Sequence, residues 1–129
     1  MRDARERDEQ TRRQDLAASV GDARETQGRL DAARARTHAA RSALHAATRS
    51  GHTAAQLAAA ERFVARLRRD LDDAIGEELR AQAAHEARVG ELDEARARLA
   101  RARADRKVIE RHFERWRAAN RKLADRRED

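Results

Sequence analysis

Small and apolar residues recur in the first part of the chain at Leu16, Val20, Ala23, Leu30, Ala33, Thr37, Ala40, Leu44 and Ala47. The steps are mostly alternating threes and fours, the spacing of a helix that packs one stripe on another helix. Gln27 interrupts the stripe. Before Leu16 the chain is nearly all charge, so the first dozen residues are expected to fray. A second stripe runs through Leu57, Ala60, Val64, Leu67, Leu71, Ile75, Leu79, Val89, Leu92, Ala95 and Leu99. The two four-residue steps from Leu71 through Ile75 to Leu79 predict a drift from the seven-residue repeat and a local change of supercoil. Between Leu79 and Val89 the large apolar residues run out, and Ala83, Ala84 and Ala87 take their place.

One short stretch, Ser50-Gly51-His52-Thr53, reads as a helix stop. Gly51 suits the position just past a helix end, where positive φ is needed. Thr53-Ala54-Ala55-Gln56 matches a capping box, with Thr53 as N-cap and Gln56 reaching back to it. The alternative is one helix running straight through Gly51, since a lone glycine is tolerated. The spacing predicts an all-α fold, an antiparallel two-helix coiled-coil hairpin with a longer C-terminal helix. It forms a single domain over 1–129, with helix 1 about 3–49, a turn at 50–53 and helix 2 about 53–127. A turn centred on 51–52 sets residues opposite each other when their numbers total about 103. Leu44 then faces Leu57–Ala60, Leu30 faces Leu71, and Gly28 lies near Ile75 and Gly76, where the glycines read as neutral. The first arm is roughly 70 Å long and the second roughly 110 Å, which leaves about 25 C-terminal residues without an intramolecular partner.

Composition agrees with this picture. The 129 residues contain no proline and five glycines, and 42% are charged while 2% are aromatic. Proline in a helix interior costs about 3 kcal/mol and alanine nothing. With so few large side chains, burial falls to a narrow seam lined largely by alanine. Function then comes from surfaces and length rather than from a pocket.

Charge is uneven along the chain. Residues 1–50 carry 11 basic and 8 acidic groups, residues 51–100 carry 8 and 10, and residues 101–129 carry 11 and 6. The absence of cysteine excludes disulfides, a thiolate nucleophile and cysteine-ligated zinc. The charged N-terminus lacks the apolar core of a signal peptide. No window approaches the roughly 20 apolar residues of a membrane span. A cytoplasmic location is expected.

The basic end holds the residues best suited to bind a partner. Ile109, Phe113, Trp116, Asn120 and Leu123 are spaced 4-3-4-3, with Val108 beside them. Arg106, Arg111, Arg115, Arg117, Arg121 and Lys122 surround the stripe. An exposed apolar stripe rimmed by arginine marks a binding surface, and Trp and Arg are enriched at interface hot spots. Alternatively the first arm reaches further, or a second chain covers the stripe in a homo-oligomer.

The stretch from Arg106 to Asp129 resembles the C-terminal segment of the FliJ/YscO/SctO family, small helical-hairpin proteins of flagellar and virulence-associated type III secretion. The matching elements, in order, are Arg106-Lys107, Val108-Ile109-Glu110, Glu114-Arg115, Arg121-Lys122 and Arg126-Arg127-Glu128-Asp129. The chain is richer in Ala and Arg than family members, which carry more Leu, Gln and Lys. The resemblance implies a central-stalk protein whose terminal coiled coil enters a hexameric secretion ATPase. It also implies that the hairpin contacts an export-gate protein and handles secretion chaperones, at the cytoplasmic face of the inner membrane. Arg106, Ile109, Phe113, Trp116, Arg117, Asn120 and Leu123 would contact the ATPase ring. Leu44, His45, Arg49, His52 and Gln56, near the turn, form a second and weaker candidate surface.

Other chemistries are excluded or rank lower. His38, His45 and His52 recur every seven residues, about 10 Å apart along a helix, which is too far for one metal ion. His85 and His112 stand alone, as seam or solvent-facing residues. Asp70, Asp72, Asp73, Glu77 and Glu78 suit helical ion pairs, Asp73 and Glu77 with Arg69 and Arg80, rather than catalysis, which requires burial. No nucleotide-binding loop or catalytic triad is visible, so no enzyme activity, cofactor or small-molecule substrate is expected. Nucleic acid is the rival partner, given the basic C-terminal segment, but acidic residues interrupt it and only Phe113 and Trp116 offer stacking rings. The apolar face is narrow for a membrane-surface helix.

Overall fold

The computed structural model describes residues 2–49 and 53–128. They form two helices, α1 over Arg2–Arg49 (48 residues) and α2 over Ala54–Glu128 (75 residues), with no strand among the described residues. The fold is all-α, and the two helices pack against each other. Ser50, Gly51 and His52, on which the predicted turn falls, lie outside the described residues. Thr53 is not helical, so no single helix runs through this stretch. At the start of α2 the Thr53 N–H donates to Gln56 Oε1 at 3.2 Å, while the Gln56 and Leu57 N–H groups donate to the Thr53 carbonyl. The side-chain half of the capping box that Gln56 supplies is therefore formed.

The chain groups into two compact units. The first comprises Gly21–Gly90. Its buried side chains are Ala23, Thr26, Leu30, Thr37 and Ala74. The helices run antiparallel here, with Asp22 against Arg88, Thr26 against His85, and Arg34 and Arg36 against Glu78 and Glu77. These pairs correct the predicted register. Their numbers total 110 to 113, not 103, so Leu30 does not face Leu71, and Leu44 does not face the Leu57–Ala60 turn. Instead Leu44 shares a groove with Arg68 and Leu71. Counting symmetrically from the turn failed because cross-helix partners set the level: the first turns of α2 run past the end of α1. Leu57 is accordingly half exposed, as is Phe63. An added Cβ at Gly28 would meet nothing within 4 Å, so that glycine supports no close approach.

The covered positions of α2 in this unit are spaced mainly by threes and fours. Along α2 the covered positions pass through Val64, Leu67, Leu71, Ala74, Glu78, Ala81 and His85. Ala74 is fully buried, Ile75 is half-buried beside it, and Leu79 is exposed. Leu79, five residues on from Ala74, lies about 140° from it around the helix and so falls off the seam. Ala83, Ala84 and Ala87 are exposed, and Ala81 and His85 line the seam at that level. Thr26 fills the seam where Gln27 had marked a break. Its hydroxyl bonds back to the Ala23 and Asp22 carbonyls and meets His85 Nδ1 at 2.9 Å. The predicted outward pairing of Asp73 and Glu77 with Arg69 and Arg80 also changes. Glu77 hydrogen-bonds Arg36 of α1, with Arg80 acting at longer range. Asp73 forms no ion pair among the described residues.

The second unit joins the residues up to Val20 with those from Glu91 on. Ala95, Leu99 and Ala102 are buried. The helix begins at Arg2. Among the described residues both units bury mainly alanine, with Leu30 and Leu99 the only large apolar residues below the surface.

Candidate partner-binding stripe

In the second unit, α1 begins beside the middle of the candidate stripe. Arg2 lines a groove with Ile109, His112, Phe113 and Arg117. Ile109 and Glu110 are half-buried, and from Arg111 to Glu128 every residue is exposed. The unpartnered segment is therefore shorter than the sequence suggested, because α1 reaches further along α2. Arg106 lies outside it altogether.

Arg106 belongs instead to a buried cluster that sequence reasoning missed. Glu9 is 2% exposed. Its Oε1 accepts a hydrogen bond from Arg13 at 2.7 Å and lies 3.7 Å from Arg103. Its Oε2 is 2.8 Å from Arg106 Nη1 without hydrogen-bond alignment, so charge rather than a directed bond holds that oxygen. Arg106 Nε, also buried, is 3.6 Å from Glu110 Oε1 and makes no hydrogen bond. Glu9 stands apart from Asp70, Asp72, Asp73, Glu77 and Glu78, none of which is buried. The environment is that of an ion cluster, with three arginines around the carboxylate. A seven-residue step back from Leu16 lands on Glu9, and that spacing was the available signal.

Phe113 and Trp116 form a tilted aromatic pair, with centroids 5.7 Å apart and planes at 37°. Trp116 is 56% exposed and Phe113 44%. The Arg117 guanidinium stands 4.7 Å from the Phe113 centroid, a cation–π distance. Asn120 joins a shallow groove beside Trp116 to another beside Leu123, which is itself half exposed. From Arg111 to Glu128 there are seven basic and three acidic residues. The result is an apolar ridge with a positive rim, suited to an acidic, grooved protein surface.

The second candidate surface is brought together only in part. Leu44 and His45 line one groove with Arg41, Thr48, Arg68 and Leu71. Arg49 is the exposed last residue of α1, Gln56 is engaged at the start of α2, and His52 lies outside the described residues. His38 and His45 are exposed, and no group of three His, Asp or Glu among the described residues could hold a metal ion. No helix among them is long and apolar enough to cross a membrane.

No protein-family model, curated protein or solved structure matches the chain.

Proposed function

We propose that the protein is a non-enzymatic stalk component of a type III secretion export apparatus. In this reading the helices form a coiled-coil hairpin at the cytoplasmic face of the inner membrane. The stripe from Ile109 to Leu123 docks on the hexameric secretion ATPase, and the surface around Leu44 and His45 meets the export gate or secretion chaperones. The observation that carries the reading is the exposed Phe113–Trp116 pair with Arg117 against it, on the part of α2 that α1 does not cover. A lone tryptophan and one of two phenylalanines placed in solvent lose the free energy of burial unless a partner supplies it. The resemblance from Arg106 to Asp129 supplies the partner's class. Arg106 acts there as a positioning residue, held by Glu9, rather than as a contact.

The test is the double substitution Phe113→Ala with Trp116→Ala. ATPase stimulation and secretion should both fall at least tenfold while helix content is retained. Unchanged stimulation and secretion would refute the stalk reading. Binding to nucleic acid that weakens steeply with salt would replace it with the rival one.

A further inference from the structure

Along one flank of α2, in the unit Gly21–Gly90, three arginines are followed by three carboxylates: Arg62, Arg66 and Arg69, then Asp70, Asp73 and Glu77. The gaps are four, three, one, three and four. The series therefore reads the same from either end with every sign reversed, about a centre between Arg69 and Asp70. At 3.6 residues per turn the six positions, and Arg80 beyond them, fall within an arc of about 100°, which flanks the seam at Ala74 and Ala81. All six side chains are exposed.

Within one chain the three carboxylates share a single cation of α1: Glu77 is bonded to Arg36, and Asp73 and Asp70 act on it at longer range. Arg62, Arg69, Asp70 and Asp73 form no ion pair among the described residues, and Arg66 meets only the Phe63 ring, at 5.8 Å. Arg62 and Arg66 are like charges four apart, as are Asp73 and Glu77, and such neighbours repel along a helix. The opposite-sign neighbours, Arg66 with Asp70 and Arg69 with Asp73, have the cation on the N-terminal side, the weaker orientation. Glu77 gives one oxygen, Oε2, to Arg36 of α1 and keeps Oε1.

We infer that this face binds a second copy of the chain, α2 against α2, antiparallel about a two-fold axis between Arg69 and Asp70. In that register Arg62 meets Glu77, Arg66 meets Asp73 and Arg69 meets Asp70, and the symmetry repeats each pair. An isologous contact of this kind needs a patch complementary to itself, and the reversed-sign series is one. A parallel arrangement in register would set arginine against arginine. At the margin Ala55 comes level with Ala84, both small and exposed, so the helices can approach closely. Charge pairs at an exposed face are individually weak and screened by salt. The dimer is therefore weak and dissociates as ionic strength rises.

The experiment is sedimentation equilibrium on the full chain at about 100 µM, in about 0.02 M and about 0.5 M salt. Dimer is expected at low salt and monomer at high salt. The variants Arg66→Asp with Arg69→Asp, and Asp70→Arg with Asp73→Arg, should each associate at least tenfold more weakly while remaining helical by circular dichroism. Mixed in equal amounts, they should dimerise again. A wild type that is monomeric at low salt overturns the inference. So do variants that self-associate unchanged, or a mixture that stays monomeric while the wild type dimerises. A dimer that ignores these changes but is lost with Trp116→Ala places the contact on the C-terminal stripe and also overturns it. Phe113 and Trp116 are untouched by the charge swaps, so this outcome and that of the stalk test are independent.

Discussion

Buried Glu9 of α1 and partly exposed Arg106 of α2 meet at 2.8 Å in the unit whose buried apolar residues are Ala95, Leu99 and Ala102. Removing one partner of a buried ion pair leaves the other charges uncompensated. Arg13 and Arg103 are half exposed and recover hydration, which lowers the cost below that of a fully buried pair. Glu9→Ala should destabilise by about 1–2 kcal/mol in urea unfolding. Glu9→Leu should cost less than Glu9→Ala, because leucine fills the seam position. Equal losses for the two would show that packing contributes nothing there.

The pair Arg36–Glu77 predicts an acid limb in the stability profile. The Arg36 hydrogen bond, then its charge, hold the Glu77 carboxyl below its ordinary value, and Glu77 raises Arg36 by the same interactions. A carboxylate with a lowered folded pKa contributes stability above its unfolded pKa, and that contribution is lost as pH falls through the folded value. The Arg36 shift acts only at strongly alkaline pH. Melting temperature should therefore fall between about pH 5 and pH 3, and Glu77→Gln should flatten part of that slope. An unaltered slope would remove Glu77 from the account.

Ala74 and Ala84 offer a direct test of which alanines form the seam. Ala74 is fully buried, and Ala84 is exposed. Ala74→Leu should cost about 1–3 kcal/mol through overpacking, while Ala84→Leu should change stability by less than about 0.5 kcal/mol. The reverse order would restore the register in which Ala83 and Ala84 line the seam.

Trp116 is the only tryptophan, so fluorescence reports the stripe alone. At 56% exposure its emission should lie near that of a solvated indole and be quenched readily by iodide, which the surrounding arginines attract. A blue shift and loss of quenching are expected on adding the secretion ATPase. Emission that is already blue-shifted and unquenched in the isolated protein would mean the stripe is covered without it.

Much of the helix pair was legible because its signals are local. The absence of proline, the Thr53–Gln56 cap and the three-four spacing from Leu30 to Leu44 each act within a few residues. Register was not local. The pairs Arg36–Glu77 and Thr26–His85 join residues far apart in sequence, and the turn supplied no measure of how far α2 runs past α1. Leu57, Leu79 and Val89 were assigned to the seam yet are exposed, while Ala74, which was not assigned to it, is buried along with Ala95, which was. Where helices close over small side chains, hydrophobicity misleads and spacing does not. The same holds for Glu9 and Thr26, polar residues at seam positions. Phe113, Trp116 and Leu123 were legible as an exposed stripe, whereas the role of Arg106 depended on the missed Glu9.

A surface of alanines spaced by sevens offers its neighbour nearly the same view after each repeat, so sliding by one repeat costs little packing. Glu9 removes that degeneracy near the start of α1. Slid seven residues one way, its carboxylate would leave Arg103 and Arg106 for Arg96 and Leu99. Slid the other way, it would confront Glu110 and Phe113. One charged side chain thus acts as a notch in an otherwise uniform track. It fixes how much of α2 projects past Arg2, and so the length of helix that α1 leaves bare.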